Sequence, residues 1–226
     1  MKSGILFEAC VETLESAVAA EKGGAGRIEL CVNLDIGGLT PPAGMIRETC
    51  KALSIPVNIL IRPRGGDFNY SSEEFETMKR EIEVSKQAGA NGVVVGVLMA
   101  ADSVDLARVR QLVEIARPMS FTFHRAFDEA ADPFRALEDI MSLGIERLLT
   151  SGQKPAAEQG IPLLKQLVEK AGGRISIMPG GGVNESNAVR ILSETGAREI
   201  HASLRDSSED FESRVKNFVN IISRAL

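Results

Sequence analysis

Residues Ser120–Thr150 read SFTFHRAFDEAADPFRALEDIMSLGIERLLT. The stretch opens on Ser120–His124, a short run of strand length, and closes on a second, Arg147–Thr150. Between them Asp132 stands directly before Pro133, an acceptor side chain at the helix cap followed by a proline already set for the first turn. Phe134, Leu137 and Met141 then recur at helical spacing and give one apolar stripe. Gly144 follows where a helix would turn off toward the next strand. The segment is one strand–helix unit and the start of another.

Working outward, the same unit recurs eight times. The strand candidates are Ile5–Ala9, Arg27–Cys31, Val57–Arg62, Gly92–Val97, Ser120–His124, Arg147–Thr150, Arg174–Met178 and Arg198–His201. Thr40 before Pro41-Pro42 predicts a second helix cap with proline in the first turn, and Ser71 with Glu74 predicts a capping box. Phe75/Met78/Ile82, Leu106/Val109/Val113, Leu164/Leu167/Val168 and Phe211/Val215/Phe218/Ile222 are further helical stripes. Eight units in 226 residues average about 28 each, close to the minimum for a strand, a crossover helix and two loops. The pattern predicts an α/β fold, a TIM (β/α)8 barrel in a single domain over residues 1–226. An open doubly wound sheet would place a glycine-rich dinucleotide turn after the first strand, where Glu8-Ala9-Cys10-Val11-Glu12 stands instead.

Composition narrows the function. With 26 Lys+Arg against 31 Asp+Glu, the net charge of −5 argues against a broad nucleic-acid or anionic-membrane footprint, so an acidic ligand needs a local cationic pocket. Only three apolar residues separate Gly4 from Glu8, too few for the core of a secretion signal, and the longest apolar run, Val93–Ala101, is half of what a membrane span requires. Three cysteines, Cys10, Cys31 and Cys50, do not make a disulfide framework, which predicts reduced thiols in the cytoplasm. Cys50 falls on the apolar stripe of its helix and reads as core.

Barrel enzymes carry their chemistry at the C-terminal ends of the strands. Here those ends hold Glu8 and Cys10, Glu29 and Cys31, Arg62 with Arg64 and Asp67, His124 with Arg125 and Asp128, Ser151, Gly180-Gly181-Gly182, and His201. Both histidines of the chain are among them, and histidine titrates nearest neutrality. Glu8, Glu29, His124, Asp128 and His201 are therefore the candidates for proton transfer. Arg62, Arg64, Asp67, Arg125, Ser151 and the glycine triplet, set before a helix expected to begin near Asn184, are the candidates for holding an anionic or phosphorylated metabolite. Each group also has a structural alternative: hydrogen-bonded histidines closing the mouth, an ion-pair plug, a solvated turn at 62–68, or a tight turn at 180–182. Cys10 and Cys31 end adjacent strands, so their sulfurs can serve one soft ion such as Cu(I) or simply fill the core. No candidate strand ends in lysine, which disfavours Schiff-base chemistry.

The strings FEAC (7–10), RIELC (27–31), GGLTP (37–41), IRPRGGDF (61–68), TFHRAFD (122–128), LTSG (149–152) and MPGGG (178–182) together resemble the CutC family, named for copper homeostasis. The resemblance runs in order from Phe7 to Arg205. It implies a cytoplasmic, homo-oligomeric TIM barrel that binds Cu(I), with the family's cysteine pair corresponding to Cys10 and Cys31. Ala202 stands where some members carry a further cysteine, which weakens a three-sulfur site. The competing expectation is an enzyme doing acid–base chemistry on a small anionic or phosphorylated substrate.

Overall fold

The computed structural model describes residues 4–205 and 210–224. All eight strand–helix units form: β1 (Leu6–Val11), α1 (Leu14–Gly23), β2 (Arg27–Leu30), α2 (Ala43–Ala52), β3 (Val57–Leu60), α3 (Ser72–Gln87), β4 (Gly92–Val95), α4 (Leu106–Ala116), β5 (Ser120–Phe123), α5 (Pro133–Ser142), β6 (Arg147–Thr150), α6 (Ile161–Ala171), β7 (Ser176–Pro179), α7 (Ala188–Thr195), β8 (Glu199–Ala202) and α8 (Phe211–Ile222). Every ladder is parallel, and the order β7-β6-β5-β4-β3-β2-β1-β8 sets the first strand beside the last. The sheet wraps into a (β/α)8 barrel whose remaining seam, β7 against β8, is packed and carries no ladder among the described residues. No helix among those residues is long and apolar enough to cross a membrane.

Local chemistry explains where the helices start. Asp132 accepts from the N–H of Phe134 at 3.0 Å and of Arg135 at 3.1 Å, and Ser71 and Glu74 form the reciprocal capping box. Two expected starts move. The Thr40 hydroxyl accepts from the Arg62 N–H and donates to Glu81, both at 2.8 Å, so it caps nothing and α2 begins after Pro42. After the glycine triplet, Asn187 accepts from the Asn184 N–H and donates to the Gly182 carbonyl, both at 2.9 Å. That closes an extra turn and delays α7 to Ala188 rather than Asn184.

Alternate strand residues separate two interiors. Phe7, Ala9, Ile28, Leu30, Ile59 and Phe121 face the helical stripes and build the main apolar core, with the Phe7 and Phe218 rings 4.6 Å apart. Glu8, Arg27, Glu29, Asn58 and His201 turn into the barrel and are polar. Glu8 registers with Arg27 on β2 and with His201 on β8. Arg27 pairs with Glu8 and, at 2.5 Å, with Glu199, which Arg147 meets at 2.7 Å. This chain of alternating charges floors the C-terminal mouth; isolated buried charges would each cost several kcal/mol.

Candidate functional site

Above that floor sit three ionisable groups in line. Glu8 is fully buried and accepts from Arg27, from Asn58 Nδ2 at 3.2 Å and from His201 Nδ1 at 2.9 Å. The other ring nitrogen of His201 lies 3.5 Å from Glu29 Oε2. Burial alone would raise the Glu8 carboxyl, but the Arg27 charge and the His201 contact win and take it down to about 2. Among the described residues Glu29 has only the longer His201 contact. Burial, opposed by His201 and reinforced by Glu8, lifts its carboxyl to about 8. His201 is disfavoured as a cation by burial yet raised overall by Glu8 and Glu29. One strand apart, the two carboxyls are thus held in opposite states at neutral pH.

Beside this relay, Cys10 Sγ lies 3.7 Å from Cys31 Sγ, and Cys31 lies 3.8 Å from the Val11 carbonyl. The Cys31 contact and burial push the Cys10 thiol well above its ordinary range. The two sulfurs pack with Leu60 and Val94 in a small apolar cluster inside the barrel. Cys10, Glu29 and His201 each offer one donor atom, all within 4.8 Å of one another. As a fit to Cu(I), the two thiols and the imidazole suit a soft ion, whereas the Glu29 oxygen is hard and poorly matched. The sulfur separation is what two metal–sulfur bonds of about 2.3 Å subtend at a near-tetrahedral angle.

Cys10, Glu29 and His201 open into a cavity of about 340 Å³ that reaches the loops after β7 and β8. Arg62, His124, Arg125, Gly181 and Gly182 line it as well. His124 Nδ1 accepts from the Ala126 N–H at 3.1 Å, so the neutral ring carries its proton on Nε2, which has no acceptor among the described residues. Burial, with Arg62 and Arg125 nearby, holds this imidazole down at about 3.

A model of the CutC family matches residues 5–206. The chain belongs to the CutC family. It is 50% identical over 207 residues to the copper homeostasis protein cutC homolog of Mus musculus, covering 92% of this chain and 76% of that one. The Homo sapiens homolog is 49% identical over the same coverage. The solved structure of CutC from Streptococcus agalactiae superposes with a TM-score of 0.84 at 34% identity, covering 88% of this chain and 98% of that one. Thiamine phosphate pyrophosphorylase and phosphoribosylanthranilate isomerase of Pyrococcus furiosus, at 18% and 14% identity with TM-scores of 0.68 and 0.66, share the fold alone.

In this CutC-family chain the remaining sequence-predicted residues divide. Asp128 is outside the cavity lining and fully occupied, accepting from Arg125, Thr150, the Ser151 N–H and hydroxyl, and the Gln153 N–H. It ties the loops after β5 and β6 together, and Ser151 belongs to that tie rather than to the cavity wall. Arg64 and Asp67 pair with each other at 3.0 Å, Arg64 also holds Glu74 at 2.7 Å, and neither lines the cavity. Gly180 packs against His201 at the seam. Arg27, Asn58, Glu199 and Arg214 carry no mark in the strand-end pattern of the sequence. Parity could have found the first two, which share a face with Glu29 and Arg62; Arg214 lies inside the apolar stripe of α8, between Phe211 and Phe218.

Proposed function

We propose that this chain serves copper homeostasis by binding Cu(I) as cargo at the C-terminal mouth of the barrel, with Cys10 and Cys31 as the sulfur ligands and His201 as the third donor. The observation that carries the reading is the pair of sulfurs 3.7 Å apart, with a His201 ring nitrogen within 4.8 Å of the Cys10 sulfur. Three free cysteines support a reducing, cytoplasmic setting. The test is anaerobic competition for Cu(I) against a chromogenic chelator. One ion per chain is expected, lost when Cys10→Ala and Cys31→Ala are combined; stoichiometric binding in that double variant removes the site.

A second reading is favoured by a different observation. The Glu8–His201–Glu29 line opens into a cavity of about 340 Å³, far more space than an ion needs and within the range of metabolite pockets. On this reading the chain is an acid–base enzyme for a small anionic substrate, His201 and Glu29 exchanging the proton and Glu8 orienting the ring. Glu29→Gln should lower turnover by about 100-fold or more while leaving two-thiol Cu(I) binding intact.

A further inference from the structure

The wall contributed by the loop after β7 is built around its backbone. Gly181 and Gly182 hold φ of +98° and +66°, and with Val183 they line the cavity. The Gly181 carbonyl accepts from the Ala157 N–H, and the Gly182 carbonyl from Asn187 Nδ2, both at 2.9 Å. A trans peptide points its carbonyl and the following N–H to opposite sides. The N–H groups of Gly182 and Val183 therefore face away from those partners. Among the described residues no acceptor meets them or the N–H of Gly181. Successive backbone donors left in this way form an anion-binding concavity.

Cations converge on the same space. Arg125, Arg205 and Arg214 line the cavity, and the Arg125 guanidinium lies 3.2 Å from where a Gly181 Cβ would sit. Glycine at 181 is what lets the guanidinium lie against the turn. Arg125 is held by Asp128 at 2.9 Å, and Arg214 by Glu185 at 2.9 Å.

An independent observation concerns Arg62. It is 7% exposed, yet its terminal nitrogens meet only the carbonyls of Ile36, Gly38 and Gly66, at 2.8 to 3.2 Å. Among the described residues it has no carboxylate partner, and its Nε has no acceptor. Arg62 lines the cavity, as does the equally buried His124 with its unpartnered Nε2–H. Buried charges are normally paired, because an unpaired one costs several kcal/mol. The guanidinium also stacks on the Phe68 ring at 4.9 Å, so what Arg62 Nε and the His124 Nε2–H lack is an acceptor, which the oxygen-bearing skeleton of a ligand in the cavity would supply.

We propose that the cavity holds a small phosphate monoester, its phosphate seated on the Gly181–Val183 amides between Arg125 and Arg214, its carbon skeleton running toward Glu29 and His201. A dianion with three terminal oxygens uses amides and guanidiniums in a number that a carboxylate cannot match. The proposal rests on the second reading for its substrate and is independent of Cu(I).

The experiment uses the full, metal-free chain titrated with inorganic phosphate, then with three- to six-carbon phosphate monoesters and their unphosphorylated counterparts. Phosphate should bind more tightly than about 1 mM, compete with the esters, and shift the backbone amide resonances of Gly181, Gly182 and Val183. Arg125→Gln and Arg214→Gln should each weaken binding about 10-fold or more without altering Cu(I) stoichiometry. Absence of phosphate binding, resonance shifts that spare residues 181–183, or full affinity in both arginine variants would overturn the site. The amide shifts need no variant, so misfolding of either substitution leaves the test decisive. Ester binding without turnover supports the seat and removes the acid–base reading, so the two fail separately.

Discussion

Glu8 and Glu29 sit on neighbouring strands, both inside the barrel, and differ only in what touches them. Arg27, Asn58 and His201 all point at Glu8; Glu29 meets only the far nitrogen of His201. Glu8→Gln removes a buried anion from between two cations and should cost about 3–5 kcal/mol of stability, read from urea unfolding at neutral pH. An unchanged midpoint would show that Glu199 alone can neutralise Arg27. His124 gives a pH prediction. Its folded pKa, about 3, lies below the ordinary 6.5, so the unfolded chain takes up the proton first as pH falls. Its stabilising contribution is complete above about 6.5 and drains away toward 3. Glu29, raised to about 8 from 4.5, works in the opposite direction over that interval, because the folded state holds a proton the unfolded chain has lost. The difference between wild type and His124→Gln isolates the histidine: from about pH 6.5 to 5 the wild type should lose up to about 1.4 kcal/mol per pH unit relative to the variant. Parallel pH profiles would refute it. Strand alternation makes the inward placement of Glu8, Cys10, Glu29 and Cys31 legible from the sequence. It does not reveal that Asp128 is consumed by five donors, since those come from two loops that only the fold brings together.

Elements are more legible where a cap is local and less where a distant residue competes for it. Asp132-Pro133 and Ser71/Glu74 behave as read, because their partners lie within three residues. Thr40 does not, because Arg62 and Glu81 claim its hydroxyl from other elements, and nothing in residues 40–43 signals that claim. Asp132→Ala should accordingly cost about 1 kcal/mol, the ordinary worth of a helix cap, in chemical denaturation. On α8 the read stripe is also the packed one. Phe218 is fully buried against Phe7 of β1, so Phe218→Ala should cost about 3–5 kcal/mol and lower the urea midpoint accordingly. A loss below about 1 kcal/mol would mean that α8 closes over the gap. Arg214, one position before Val215 on this helix, reaches the cavity through the same face. The sequence marks Arg214 only as a charge beside that stripe; that it lines the cavity follows from the fold.

At the scale of the whole barrel, the thiols, Glu29 and His201 belong to β1, β2 and β8 or their ends, next to the β7–β8 seam. Among the described residues β8 is joined by hydrogen bonds to β1 only, so its other edge relies on packing against β7. An ion held jointly by Cys10, Cys31 and His201 would fasten β8 to β1 and β2 at their C-terminal ends and would bind the folded chain more tightly than the unfolded one, whose free thiols also take up Cu(I) and make the mass-action gain an upper bound. Mass action then converts affinity into stability: at 100 times Kd the gain is about 2.7 kcal/mol. For a chain of this length each kcal/mol moves the melting temperature by about 2–4 °C, so Cu(I) should raise it by roughly 5–11 °C. The double variant Cys10→Ala with Cys31→Ala should lose that increment while keeping any stabilisation by inorganic phosphate, because the phosphate seat uses residues 181–183 and Arg125 on other strand ends. Anaerobic thermal melts with each ligand separately decide the matter. A Cu(I) increment that survives the double variant would move the ion away from the mouth, whereas loss of both increments together would mean that the thiols hold up the cavity rather than the metal.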